Sequence, residues 1–408
     1  MNPESSRRSE GSVTARHFWT GKPVRLGWRD GRFTAMHEVR QASGPAFLAP
    51  TLFDPQINGF AGVDFQQNAL EESDLVRSVR VLRQTGCTRF LLTLITDDWT
   101  ALTTRLAHLH ALRQAHPELR DAIAGWHLEG PFLSTEPGFR GAHNPAMMLD
   151  PVPRRIEELR RAAGDDLLLL TLAPERQGAV EAIARATSLG IRVSLGHTNA
   201  TAAQLAAARD AGATGFTHLG NACPQTLDRH DNLLWRVLDT PGLQISLIAD
   251  GRHVAPPLFR LIHRLRPAGT VLHTTDAMAA AAAPPGRYTV GWLKLDVGPD
   301  RITRQPGHTN FAGSALTPVE MVFRASAMLG GSWQQAWLAG SRHATGWLGL
   351  ATGFSIGARA DFCLVTVDDA GRLRGLRTFA GGEEGAQLDE DAIGLDAFQP
   401  GGIVEDTD

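Results

Sequence analysis

The chain has 408 residues, of which 43% are hydrophobic and 20% charged, as is ordinary for a soluble globular protein. Its formal net charge of −3 gives no electrostatic basis for binding nucleic acid or an anionic membrane. No apolar run approaches the roughly 18 residues of a membrane span, and the polar N-terminus is not a secretory signal. Three widely spaced cysteines, Cys87, Cys223 and Cys363, are typical of a reduced, cytoplasmic protein.

Both ends of the chain predict β structure next to a polar tail. Residues 1–14 are poor in apolar residues, and we expect them to be disordered. Residues 15–46 contain short strand-like runs separated by turns, and residues 350–380 contain another strand pair. An acidic, glycine-rich tail covers residues 381–408. We therefore predict one small β-sandwich domain that is built from both chain ends.

The middle of the chain, residues 47–349, repeats a strand, a loop and a helix. The predicted strands cover residues 47–58, 89–96, 122–132, 167–173, 191–198, 215–221, 244–250 and 270–276. The predicted helices cover residues 71–84, 100–115, 152–163, 179–189, 202–211 and 256–265. Eight such strands predict a (β/α)8 TIM-like barrel, with its active site at the C-terminal strand ends. The alternative, a doubly wound sheet, would explain polar residues at only one or two strand ends.

Three strand ends carry residues typical of a metal site. Glu129 follows the apolar run from Ala122 to Trp126, and a carboxylate at the mouth of a core needs a cation or a hydrogen-bond donor. His197 and His218 each end a short apolar or β-branched run. Together the three residues form the ligand set of a catalytic zinc-type site with an open position for water. Each histidine alone could instead be a hydrogen-bonded core residue.

The ends of the first, seventh and eighth predicted strands supply further polar groups. Gln56 and Asn58 are two residues apart, so both side chains point inward. Asp276 is the candidate general base, which would accept a proton from water and return it to a leaving amine; its alternative role is a helix N-cap. His253 could polarise a carbonyl from the side opposite the metal, or it could be an inert loop histidine.

The ordered segments QING, HLEGPF, GAHNP, GHTNA, THLGNA, ADGRHV, TDAM and AGSALT lie between about residues 47 and 367. They resemble the N-acetylglucosamine-6-phosphate deacetylases of the amidohydrolase superfamily. The resemblance implies metal-dependent hydrolysis of N-acetylglucosamine-6-phosphate to glucosamine-6-phosphate and acetate. It also implies one divalent ion per subunit on Glu129, His197 and His218, with Asp276 as base and His253 holding or polarising the acetamide carbonyl. Zinc is the first choice, with iron, cobalt or manganese as alternatives.

The same resemblance implies the substrate contacts. His143, Asn221, the backbone of Ala222 and Arg229 would recognise the sugar phosphate. Arg229 would do so in the neighbouring subunit of a homodimer. Gln56 and Asn58 would line the substrate site where many amidohydrolases have histidine ligands, and neutral amides there indicate a single metal.

Several alternatives remain open at this point. Asp228 and Asp231 flank Arg229 and reduce the local positive potential, so Arg229 could form a surface salt bridge instead. The substrate could be N-acetylgalactosamine-6-phosphate, an unphosphorylated amino sugar or an N-acyl amino acid. A barrel without catalytic activity that serves as a scaffold is the remaining alternative.

Overall fold

The computed structural model describes residues 10–307, 311–385 and 387–389. The strands are β1 Glu10–His17, β2 Pro23–Arg29, β3 Arg32–Glu38, β4 Phe47–Pro50, β5 Leu52–Ile57, β6 Gly59–Phe60, β7 Val63–Asp64, β8 Cys87–Ile95, β9 Ile123–Glu129, β10 Leu167–Leu172, β11 Arg192–Leu195, β12 Gly215–Phe216, β13 Gln244–Ile248, β14 Val271–Thr274, β15 Gly286–Val290, β16 Leu293–Val297, β17 Thr303–Arg304, β18 Phe362–Val367, β19 Leu373–Ala380, β20 Glu383–Glu384 and β21 Leu388–Asp389. The helices are α1 Glu72–Gln84, α2 Trp99–Ala115, α3 Pro117–Ala122, α4 Pro153–Ala163, α5 Ala179–Ser188, α6 Ala202–Asp210, α7 Leu233–Asp239, α8 Pro256–Leu265, α9 Pro318–Leu329, α10 Trp333–Ala339 and α11 Arg342–Leu348.

Eight parallel strands form the barrel predicted from the sequence. Their order is β5-β8-β9-β10-β11-β12-β13-β14, so every strand lies beside its neighbour along the barrel repeat. The sheet closes where the Asn58 amide donates to the carbonyl oxygen of Ala277 at 2.7 Å. This closure confirms the (β/α)8 barrel and shows that the doubly wound alternative is wrong. The six predicted helices overlap α1, α2, α4, α5, α6 and α8, whereas α3, α7, α9, α10 and α11 were not predicted.

Local sequence signals explain why the helices begin where they do. Thr201 and Gln204 form a capping box at the start of α6, in which each side chain bonds the other residue's backbone amide. Helix α4 has proline at its first position, and it buries Ile156, Leu159 and Ala163 on one face. These helices therefore cover the barrel with apolar stripes while their polar faces point outward.

The barrel interior has an apolar layer and a polar layer. Near the N-terminal end, Phe53, Leu91, Leu169 and Leu272 pack against residues of α11, which closes that end. Closer to the C-terminal end, polar side chains form a hydrogen-bonded chain. His127 Nε2 lies 2.8 Å from Thr171 Oγ1, Thr171 Oγ1 2.8 Å from Thr217 Oγ1, and Thr217 Oγ1 2.7 Å from Ser194 Oγ. This polar layer lies directly beneath the strand ends.

The chain ends form a second eight-stranded sheet, in the order β20-β19-β18-β4-β1-β2-β3, with β21 also paired to β19. Trp28 on β2 and Phe362 on β18 are three strands apart in this order, yet their ring centroids are only 5.2 Å apart. A flat sheet would separate them by about 14 Å, because neighbouring strands lie about 4.8 Å apart. The sheet therefore folds over its own apolar face, which makes it the predicted sandwich of both chain ends.

The structure corrects three boundaries of the sequence prediction. Strand β1 begins at Glu10, so residues 10–14 are paired strand residues and not a disordered tail. Strand β4 pairs with β1 and β18 in the terminal sheet, so the first barrel strand begins at Leu52 rather than at residue 47. Strands β20 and β21 lie in the expected C-terminal tail. Residues 1–9, 386 and 390–408 of the two tails lie outside the described residues. The division into domains stays a prediction.

A three-stranded antiparallel sheet, β15-β16-β17, follows the last barrel strand and lies over the C-terminal end. Among the described residues, no helix combines the length and the apolar character that crossing a lipid bilayer requires.

Candidate active site

The polar residues predicted at the strand ends meet at the C-terminal face of the barrel. Glu129 is the last residue of β9, and His197, His218 and Asp276 each lie two residues after their strand ends. The last three have positive φ angles of 49°, 34° and 50°. This left-handed conformation costs a non-glycine residue about 1 to 3 kcal/mol and persists only where surrounding contacts enforce it. Such strain is typical of residues that a functional site holds in place.

Glu129, His197 and His218 form one buried cluster. His218 Nε2 lies 2.6 Å and His197 Nε2 3.2 Å from the same carboxylate oxygen, Glu129 Oε1. His197 Nδ1 donates to the carbonyl oxygen of Phe139 at 3.0 Å. In a neutral ring Nε2 then has no hydrogen, so its lone pair faces the lone pairs of Glu129 Oε1. This contact is favourable only when a cation, either a proton or a metal ion, lies between the two atoms. A histidine whose other nitrogen is held by a carbonyl is typical of metal ligands.

The loop after β9 holds His197 from the outside. The Ser134 amide donates to the His197 carbonyl oxygen at 2.9 Å. Gly141 has a φ of +57°, and a Cβ atom there would lie 2.8 Å from His197 Cε1. Only glycine allows the loop to approach the imidazole ring this closely.

His143, from the same loop, brings a third imidazole to the cluster. Its Nε2 lies 3.8 Å from Glu129 Oε2, and its Nδ1 lies 2.9 Å from Thr96 Oγ1. Glu129, His143 and His197 offer ligand atoms that all lie within 4.8 Å of one another, so they could hold a metal ion. One carboxylate and several imidazoles are the donors that zinc-type ions prefer, so the residues fit such an ion. His143 and His218 thus compete as the third ligand.

Two neutral amides bind Asp276, and one of them also bridges it to Glu129. Gln56 Nε2 donates to Glu129 Oε1 and to Asp276 Oδ1, both at 3.0 Å, and Asn58 Nδ2 donates to Asp276 Oδ1 at 2.7 Å. Among the described residues, Asn58 Oδ1 is a buried acceptor without a hydrogen-bond donor. Both amides were expected beside the substrate; Asn58 lines the pocket above the cluster, whereas Gln56 lies between the two carboxylates.

The pKa values of the two carboxyl groups are driven apart. Burial raises the pKa of Asp276 to about 7, and the negative charge of Glu129 adds to this effect. Burial also acts to raise the pKa of Glu129, but hydrogen bonds with His197 and His218 outweigh it and hold that pKa well below its usual range. Asp276 is therefore poised to accept and return a proton near neutral pH, whereas Glu129 stays ionised.

His253 lies in an adjoining pocket. Its Nδ1 is 2.7 Å from Asp250 Oδ2, and the Arg252 and His253 amides donate to Asp250 Oδ1 at 2.8 and 3.0 Å. Burial acts to lower the pKa of His253, but the Asp250 carboxylate raises it on balance. The Phe311 ring, 5.2 Å from the His253 ring, lines both pockets. Asp250 was missed as a site residue, although it stands at a strand end like the others.

A pocket with about 540 Å³ of empty volume opens above the cluster. Its lining residues include Asn58, Ile95, Glu129, Gly141, Ala142, His143, His197, His218, Asn221, Ala222, Asp276, Val290, Leu293, Phe311, Ala312 and Gly313. His143, Asn221 and Ala222 thus line the same pocket as the strand-end residues, and their contact with a substrate stays a prediction. Val290 and Leu293 come from the sheet after the barrel and carried no local signal.

Arg229 does not reach this pocket within one chain. It is exposed on the loop after β12, and its Nε donates to His230 Nε2 at 2.9 Å. No lysine or arginine occurs among the described residues that line the pocket.

Comparison with known proteins assigns the family. No protein-family model matches the chain. The N-acetylglucosamine-6-phosphate deacetylase of Danio rerio is 33% identical over 357 residues, which cover 83% of this chain and 84% of that protein. The chain belongs to the N-acetylglucosamine-6-phosphate deacetylase family. It is therefore a hydrolase of carbon–nitrogen bonds, within a metal-dependent superfamily.

Two further deacetylases are similar. The structure of an aspartate-to-alanine variant of the N-acetyl-D-glucosamine-6-phosphate deacetylase from Mycobacterium smegmatis, in complex with N-acetyl-D-glucosamine-6-phosphate, has a TM-score of 0.82 and 31% identity. The matched region covers 92% of this chain and 99% of the Mycobacterium smegmatis chain. The N-acetylgalactosamine-6-phosphate deacetylase of Escherichia coli O157:H7 is 32% identical over 243 residues, or 60% of this chain and 63% of that protein.

Proposed function

We propose that this deacetylase hydrolyses the acetamide of N-acetylglucosamine-6-phosphate to glucosamine-6-phosphate and acetate, as a step of amino-sugar catabolism in the cytoplasm. The observation that carries the proposal is one carboxylate oxygen, Glu129 Oε1, shared by two imidazoles next to Asp276, whose pKa is about 7. Three free cysteines, two of them buried, agree with a reducing compartment.

Glu129, His197 and His218 are the proposed ligands of one divalent ion, with zinc first and iron, cobalt or manganese as alternatives. His197 is supported by its Phe139 contact, and His218 by its short distance to the same carboxylate oxygen. When bound, such an ion supplies Lewis-acid chemistry, which lowers the pKa of water and polarises a carbonyl oxygen. His143 would then contact the substrate instead of the ion.

Asp276 is the proposed general base. Its Oδ1 accepts hydrogen bonds from Gln56 and Asn58, which fix the carboxyl group at the floor of the pocket. The carboxylate takes a proton from the attacking water, and the resulting acid returns that proton to the departing amine nitrogen as the C–N bond breaks. His253, with a raised pKa beside Asp250, would place positive charge close to the developing negative charge.

The sugar phosphate would lie against His143, Asn221 and the backbone of Ala222, all of which line the pocket. The lining described for one chain has no guanidinium or ammonium group for a phosphate, and Arg229 is exposed on a nearby loop. We therefore propose a homodimer in which Arg229 of one subunit reaches the phosphate in the other.

Metal analysis combined with a substrate panel tests this function. Purified protein should contain one divalent ion per chain and should release acetate from N-acetylglucosamine-6-phosphate faster than from N-acetylglucosamine. N-acetylgalactosamine-6-phosphate is the second candidate substrate, because a relative named for it is 32% identical. Faster acetate release from the galacto epimer would make N-acetylgalactosamine-6-phosphate the proposed substrate instead. Acetate release that continues after complete removal of metal by a chelator would refute the metal mechanism.

A further inference from the structure

A second cavity lies at the opposite end of the barrel, between its N-terminal mouth and the terminal sheet. It has about 1080 Å³ of empty volume, and no residue of the proposed hydrolysis lines it. Its walls come from β5, β8, α3, the segment after α11 and the turn before β18. Its charged residues are four arginines and two aspartates, namely Arg32, Arg89, Arg120, Arg359, Asp121 and Asp361.

Arg359 engages both aspartates. It forms a salt bridge with Asp121, and its Nε donates to Asp361 Oδ1 at 2.8 Å. These contacts join α3 of the barrel region to the terminal sheet. Both carboxylates form their ion pairs with this one guanidinium, and four arginines against two aspartates leave the cavity with excess positive charge in a chain of net charge −3.

Arg89 is the arginine that most needs an external partner. It precedes Leu91 of the apolar barrel layer by two residues, so its side chain points into the N-terminal mouth. The guanidinium is partly buried, and within the described ranges it makes no hydrogen bond or ion pair. Burial lowers the pKa of Arg89 on balance, although the Asp361 carboxylate, which lies too far away to form an ion pair with it, acts to raise that pKa. Burying a cation without an acceptor is costly.

Arg32 and Arg120 stand at the rim of the cavity. Arg32 Nη1 donates to the carbonyl oxygen of Gly357 at 2.8 Å, and Arg120 Nη1 donates to that of Gln114 at 2.7 Å. These bonds to neutral acceptors hold one nitrogen of each guanidinium and leave its positive charge uncompensated. Both side chains are exposed and can turn towards a ligand.

We propose that this cavity binds a small molecule through a phosphoryl group, with Arg89 as its central contact and Arg32 and Arg120 at its rim. Planar guanidinium groups match the oxygens of a phosphoryl group in pairs. About 400 Å³ of the cavity is free for solvent, which can hold a ligand the size of a sugar phosphate or a nucleotide. A ligand bound here bridges the barrel and the terminal sheet on the face remote from catalysis. It would stabilise the folded protein, because unfolding destroys the site.

Calorimetric titration with pyrophosphate and with adenosine monophosphate tests the proposal on the full-length, metal-loaded protein. Arg89→Gln should weaken binding at least tenfold, and Arg32→Gln or Arg120→Gln should weaken it several-fold, with kcat/KM for deacetylation unchanged. The control is Arg154→Gln, since the Arg154 side chain is 86% exposed and lies on α4, outside the cavity lining. Tighter binding of adenosine monophosphate would indicate a nucleotide, and tighter binding of pyrophosphate a compact phosphate ligand.

The catalytic pocket could also accept phosphate, and inhibition kinetics separate the two sites. A ligand in the distal cavity should leave the KM for the substrate unchanged. The proposal is overturned if both probes fail to bind the wild type, or if they inhibit deacetylation competitively and bind Arg89→Gln as tightly as the wild type. Should Arg89→Gln not fold, unaltered affinity in Arg32→Gln and Arg120→Gln would also overturn it.

Discussion

The two ends of the barrel surround their carboxylates with different partners. At the C-terminal end, Glu129 and Asp276 are contacted by imidazoles and neutral amides, and no arginine or lysine is found in the described lining. At the N-terminal end, Asp121 and Asp361 are both bound by Arg359. A guanidinium is permanently charged and forms ion pairs with both carboxylates at that end, whereas the neutral donors around Asp276 let burial raise its pKa to about 7. Proton transfer is therefore possible at one end, and the other end joins barrel and terminal sheet.

Among the variants considered, Glu129→Gln should have the largest effect on catalysis at the C-terminal end of the barrel. The amide keeps the size of the side chain but removes the negative charge shared by His197 and His218. We expect gel-filtered protein to retain no metal and acetate release to fall to the assay background. Elemental analysis and an acetate assay provide the measurement.

His143→Gln is the matched comparison for Glu129→Gln. It should keep one ion per chain and raise the KM, because His143 is assigned to the substrate. If His143→Gln lost the metal and His218→Gln retained it, His143 would be the metal ligand and His218 the substrate contact.

Asp276→Asn removes the general base and should leave the metal content intact. Because general acid–base catalysis contributes about 10²- to 10⁴-fold, we expect kcat to fall by that factor. Steady-state kinetics on metal-saturated protein measures it. Near-normal turnover would refute the role of Asp276.

The pH dependence of stability offers a second measurement on Asp276. Its pKa is raised from 3.8 to about 7 in the folded metal-free protein, so this carboxyl binds a proton more tightly when folded. Its contribution to stability is fully present below about pH 4 and is lost as the pH rises through 7. Metal-free Asp276→Asn should therefore resist urea better than the metal-free wild type at pH 8 but not at pH 4. The same stability difference at both values would contradict this assignment.

Arg229→Ala sharpens the comparison by testing whether a partner supplies the missing cation. Charge-assisted hydrogen bonds contribute about 1.5 to 3 kcal/mol, so the KM for N-acetylglucosamine-6-phosphate should rise about 10- to 100-fold. The KM for N-acetylglucosamine should stay the same.

In mixtures with Asp276→Asn, hybrid dimers should regain activity, because one of their two sites receives an intact arginine and an intact base. Equal effects on both substrates would rule out a phosphate contact.

Phe362→Ala should have the smallest effect on catalysis. Phe362 stacks on Phe379 with ring centroids 4.3 Å apart and lies next to Trp28 in the core of the terminal sheet. Removing a buried aromatic ring costs about 3 to 5 kcal/mol of unfolding free energy, which urea denaturation would show. The kcat/KM of the folded fraction should match the wild type, since the sheet is remote from the catalytic face. A loss of kcat/KM in folded protein would mean that the two ends are coupled.

The sequence by itself determined the barrel strands, six of the helices described and the residues that end those strands. Apolar runs and turn residues are local signals, and parallel strands in a barrel bring their C-terminal ends to one face. Glu129, His197, His218 and Asp276 were therefore predictable as neighbours, once eight strands were recognised.

Only the tertiary structure decided which of these groups bond one another. Gln56 bonds Glu129 and Asp276 across 73 and 220 residues of sequence, and Asp250 bonds His253 in a separate pocket. Strand β4 joined the terminal sheet although it runs almost directly into β5. Hydrogen-bond partners and strand pairing depend on how segments that are distant in sequence pack together. The residue pattern of a single segment contains no information on its distance from the others.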